Sequence, residues 1–135
     1  MSDTITDRRI LKAIHDRYHG DFTNFDPKNP SRSSKVYIPI DCRTIADDFK
    51  TDPDIIFGRL YYHLDKKYGY TKDDGSKVHL FAMKTGADTH TVNFPMLSAV
   101  LAEHEQSFYR FLIPLGISLV ALIFSTISLL AEVIW

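Results

Sequence analysis

Charge is missing from one long stretch of this chain. Of 135 residues, none from Phe111 to Ala131 is charged, and no Lys or Arg follows Arg110. Cysteine is nearly absent: Cys42 stands alone, which excludes an internal disulfide and fits a reducing compartment. The six glycines sit singly, so there is no glycine-rich phosphate loop. No HExxH pattern and no cluster of Cys and carboxylates exists. The first twenty residues lack an apolar core, which excludes a secretory signal there. Low-complexity tracts and internal repeats are absent too. These gaps argue against an enzyme, and no cofactor or metal is expected.

The uncharged run, FLIPLGISLVALIFSTISLLA, is about 21 residues, or roughly 31 Å of helix, enough to cross the hydrocarbon core of a bilayer. It is too uniformly apolar for one stripe of a globular helix. It reads as a single transmembrane helix within 111–135. Arg110 precedes it, which sets the front of the chain on the cytoplasmic side. Tyr109 and Trp135 bracket it at interface depth. The layout resembles a tail-anchored, single-pass protein.

Ahead of the span, about 105 residues suffice for one small core. All 16 Lys and Arg, and all but one of the 17 Asp and Glu, lie before Phe111, so this part is near neutral. Ile10, Leu11, Ile14 and Tyr18 give helical periodicity from Asp7 to His19, with Gly20 as its stop. The segment 21–34, rich in Pro, Asn, Asp and Ser, reads as a long, functional or mobile loop. VYIPI at 36–40 reads as a short strand, pushed to an edge by Pro39. Asp41 caps a second helix; Asp52, with Pro53 at the first position, caps a third that runs to about Lys67 and stops at Gly69. Asp74-Gly75 marks a turn. VHLFAM (78–83) and THTVNF (89–94) read as strands of a hairpin, and a last helix starts near Met96. The expected fold is α+β: a domain over 1–95, a linker helix over 96–110, and the span.

This order of helix, strand, two helices across a short turn and a hairpin resembles the winged helix-turn-helix superfamily. The resemblance covers roughly 5–95. It rests on IADDFKTDPDIIFGRLYYHLDKKYGY followed by KVHLF, with Ile45 and Phe49, then Leu60, Leu64 and Tyr68, as inward positions. It implies that the third helix meets DNA, with the wing on the backbone. Its outward residues would be Ile55, Gly58, Arg59, Tyr62 and Lys66, flanked by His63 and Lys67. Arg59 would read a guanine edge and Lys66 hold a phosphate. Lys77, Lys84, Thr85 and His90 would serve on the wing.

The charges leave a second reading open. Asp54, Asp65, Asp73, Asp74 and Asp88 interleave with these bases, so the strip of Lys and Arg that DNA affinity needs is absent. Ile55 and Tyr62 suit a protein partner as well. In the span, Pro114, Ser118, Ala121, Ser125, Ser128 and Glu132 form a mainly small or polar stripe. It suggests self-association through Ser118, Ala121, Ser125 and Ser128. With the stripe turned inward, several copies would line a pore, which makes a membrane-perturbing effector a third reading. His15 and His19, four residues apart, have a metal-sharing spacing but no completing ligands.

Overall fold

The computed structural model describes residues 4–134; Trp135, expected at the far membrane interface, lies outside the described residues. The chain is α+β, with a small sheet and a long apolar C-terminal helix. It divides into two compact units between Leu101 and Ala102.

Helix α1 (Asp7–Thr23) starts at Thr6, whose hydroxyl accepts from the Arg9 backbone N–H at 3.2 Å. It passes through Gly20 and ends at Thr23, a turn later than the glycine suggests. Gly costs a helix only about 1 kcal/mol relative to Ala. Strand β1 (Tyr37–Pro39) is an edge strand, as Pro39 requires. Helix α2 (Cys42–Phe49) is capped by Asp41, which accepts from Arg43 N–H at 2.9 Å. Its end turns through Lys50 in the left-handed region (φ 53°), and Thr51 N–H then bonds back to Ala46 O at 3.1 Å. That closure makes the turn into α3 short.

Helix α3 (Pro53–Gly58) begins at Asp52 with Pro53 in its first turn. It widens into a π-helical stretch (Arg59–Leu64), where Asp65 N–H reaches Leu60 O, and finishes in the single turn α4 (Asp65–Tyr68). Residues four apart lie on the same face of a helix. Leu60 and Leu64 are therefore both fully buried, while Arg59 and His63 rise together on another side.

VHLFAM is not one strand. Strand β2 (Tyr70–Thr71) pairs with β3 (Lys77–Val78), and the chain breaks at His79–Leu80 before β4 (Phe81–Thr85). Asp65 causes the break: its carboxylate accepts from the backbone N–H groups of Leu80 (2.9 Å) and Phe81 (3.2 Å). Strand β5 (Asp88–Asn93) pairs antiparallel with β4 and β1, giving the order β1-β5-β4. The core gathers Ile10, Leu11 and Ile14 of α1, Ile45 of α2, Ile56, Leu60 and Leu64, and Leu80, Phe81 and Val92. Leu97, Val100 and Leu101, from the start of helix α5 (Phe94–Ile134), complete it. Each such aliphatic chain contributes about 1.5–3 kcal/mol on burial.

The long loop is organised rather than slack. Arg32 is buried and donates to the backbone carbonyls of Asp21 (3.0 Å), Ser34 (2.9 Å) and Lys35 (2.9 Å), with its guanidinium 4.7 Å from the Phe25 ring centre. Ser33 docks on the β4–β5 turn: its N–H donates to Asp88 (2.8 Å), and its hydroxyl accepts from Ala87 N–H (3.2 Å).

The second unit is the rest of α5. It is long and apolar enough to cross a membrane, and the apolar stretch is entirely exposed within the chain. Pro114 lies inside the helix.

Candidate partner-binding face

The face begins with residues that the core pattern leaves outside. Burying Ile56, Leu60 and Leu64 turns Ile55 and Tyr62 outward, at 54% and 71% exposure. A ladder of rings continues from there. Tyr62 meets Tyr61 edge-on at 4.9 Å, Tyr61 stacks on Phe57 at 5.5 Å, and Phe57 lies 5.3 Å from His90. Met83, on β4, is exposed as well. Such ring pairs are favourable beyond the area they bury.

The cations of the same helix behave differently. Arg59 donates through Nε to Asp7 at 3.0 Å and through Nη2 to the Ile5 carbonyl at 2.7 Å. His63 Nε2 lies 3.0 Å from the other Asp7 oxygen. Burial would raise the Asp7 carboxyl, but the hydrogen bond and charge of His63, with those of Arg59, outweigh it and hold the group below its ordinary value. Asp7 thus occupies the two side chains that would otherwise greet an anionic partner.

Lys66 and Lys77 remain exposed and line one small cleft of about 190 Å³ with Asp65, Gly69, Tyr70 and His79. Lys67 is exposed, with its ammonium 5.2 Å from the Tyr68 ring centre. Lys84 is exposed on β4. Thr85 shares a hydrogen with Thr91 at 2.8 Å. His90 does not reach out from the hairpin: it takes a left-handed backbone (φ 52°) and leans on Phe57 and Phe81. It borders a cleft of about 330 Å³ with Cys42, Arg43, Pro53, Asp54 and Phe57. Burial, aided by the Asp41 charge, raises the Cys42 thiol, the reverse of an activated nucleophile.

Sequence reasoning missed a third cleft, of about 720 Å³, whose walls include Ile5, Arg9, Phe49, Lys50 and Arg59. Arg9 lies over the Phe49 ring at 5.1 Å. Asp48, also in the wall, is held by Arg17 at 3.0 and 3.1 Å. His15 and His19 sit 5.3 Å apart and pack against Phe94. Among the described residues no group of three or more His, Cys, Asp or Glu is placed to hold a metal ion.

On α5, Ser118, Ala121, Ser125 and Ser128 are all exposed. The Ser118 hydroxyl donates to Pro114 O at 2.9 Å, and Thr126 does the same to Leu122 O. No protein family, curated protein or solved structure matches the chain. The functional reading therefore rests on this geometry.

Proposed function

We propose that this is a non-enzymatic, single-pass membrane protein whose cytoplasmic domain, of winged-helix type, recognises a protein partner through Ile55, Tyr61, Tyr62 and Met83. One observation carries the choice of partner. On the helix that would read DNA, Arg59 and His63 are engaged by Asp7, while Ile55 and Tyr62 stand open to solvent. Exposed aromatic and aliphatic side chains mark protein interfaces; DNA affinity is drawn from free cations. Support for the winged-helix reading comes from the element order and the β1-β5-β4 sheet. Support for anchoring comes from the apolar length of α5, and for orientation from Arg110 just ahead of the uncharged run. Self-association through the span belongs to the same proposal.

The second reading is a membrane-tethered DNA-binding regulator. Exposed Lys66, Lys67, Lys77 and Lys84 favour it. A salt-series titration of the full chain in nanodiscs with duplex DNA separates the two. The protein-partner reading expects weak binding that Lys66→Gln and Lys77→Gln leave unchanged. Tight binding that falls steeply with salt and is lost in those variants would overturn it in favour of DNA.

A further inference from the structure

The cleft of about 720 Å³ is lined by none of Ile55, Tyr61, Tyr62 and Met83. Its volume falls in the range of small-molecule sites, roughly 300–1,000 Å³. Stretches distant in sequence build it: the chain entering α1, the end of α2, and the first residue of the π-helical stretch. Its charges do not balance. Among the described residues Asp48 is the one acid in the wall, and Arg17 already binds both of its oxygens. Arg59 is matched by Asp7. Arg9 and Lys50 are left without an acidic partner among the described residues.

These two cations are held in place. The Arg9 Nη1 donates to the Thr4 carbonyl at 3.0 Å, and the guanidinium lies 5.1 Å from the Phe49 ring centre. Its Nε and Nη2 have no acceptor among the described residues. Lys50 sits at the left-handed end of α2, where Thr51 N–H bonds back to Ala46 O and fixes the backbone. Beside them Ile5 and Phe49 are half-buried and give the cleft an apolar wall.

We infer that this cleft binds a small organic phosphate monoester, its head between Arg9 and Lys50 and its apolar part on Ile5 and Phe49. Two unmatched cations call for a dianion, and a phosphate monoester carries about −1.5 to −2 at neutral pH. A carboxylate, with a single charge, leaves one cation unmatched. Free Nε and Nη2 groups on a fixed guanidinium suit the paired oxygens of a phosphate. The apolar wall selects an organic ester over the inorganic ion. Such a ligand would bridge α1 and the end of α2.

The test is calorimetric titration of the full chain in phosphatidylcholine nanodiscs with phenyl phosphate, benzoate and inorganic phosphate. Phenyl phosphate is expected to bind about tenfold or more tightly than either of the others. Lys50→Asn, which keeps a residue tolerant of the left-handed backbone, should weaken it about tenfold or more, as should Arg9→Gln; Lys84→Gln should not. Should Arg9→Gln fold poorly, Lys50→Asn alone decides. No binding of phenyl phosphate, or binding that Lys50→Asn leaves unchanged, would overturn the site. Equal binding of benzoate would overturn the dianion, and equal binding of inorganic phosphate the organic part. Phosphatidic acid added to the discs should not compete; competition would overturn the small ligand in favour of a lipid headgroup.

Discussion

The Arg59 guanidinium and the Asp7 carboxylate meet at 3.0 Å, tying the first turn of α1 to the π-helical stretch 52 residues away. Their side chains are only 31% and 15% exposed, so the pair is screened less than a surface salt bridge. His63, four residues on along the same helix face, makes the contact double by meeting the other oxygen of that carboxylate.

Asp7→Asn should cost about 1–3 kcal/mol at neutral pH, because Arg59 keeps its burial and loses its charged acceptor. Since the Asp7 carboxyl is held below its ordinary 3.8, its stabilisation is present above that value and is lost as pH falls through the lowered one. Wild type and Asp7→Asn should therefore differ at neutral pH and converge in acid. Chemical unfolding of the full chain in micelles at both conditions measures this.

Arg32→Lys should loosen the loop between α1 and β1. A lysine cannot donate in the three directions that reach the carbonyls of Asp21, Ser34 and Lys35. The expected loss is about 1–3 kcal/mol, with faster amide hydrogen exchange confined to residues 24–36. Unchanged exchange there would show that the loop holds itself.

Gly86→Ala should destabilise the hairpin tip. Gly86 has φ +60°, and a Cβ there would come within 2.8 Å of Ser33. The left-handed backbone alone costs about 1–2 kcal/mol. Adding Ser33→Gly removes the clash and should restore part of the loss, which a double-mutant unfolding cycle reads directly.

Tyr62→Ala should leave stability within about 0.5 kcal/mol, as expected for an exposed site. It should abolish photo-cross-linking from position 55 to a cellular protein, whereas Lys84→Gln should not. Adducts that survive Tyr62→Ala would place the partner on another face.

Much of the fold was legible because its signals are local. Asp41 and Asp52 cap their helices as read, and Ile45, Leu60 and Leu64 are buried as their spacing requires. What the sequence hid lies in contacts between distant residues. Asp65 and Asp88 look like surface acids that spoil a basic footprint. Instead Asp65 holds two backbone N–H groups of 80 and 81, and Asp88 holds Ser33, 55 residues away. Arg59 looks outward by helical spacing; what spacing cannot show is that Asp7, 52 residues away in the chain, meets it there. The break at His79–Leu80 was hidden for the same reason, since VHLFAM has continuous β propensity and only Asp65 interrupts it.

The central claim is that α5 anchors the α+β domain at a bilayer. Membranes containing the full chain, washed in alkaline carbonate and then treated with protease from the cytoplasmic side, test it. The account predicts that the chain stays in the pellet and that protease removes the domain while sparing a fragment that begins near Arg110. Recovery of the intact chain in the supernatant without detergent would contradict it.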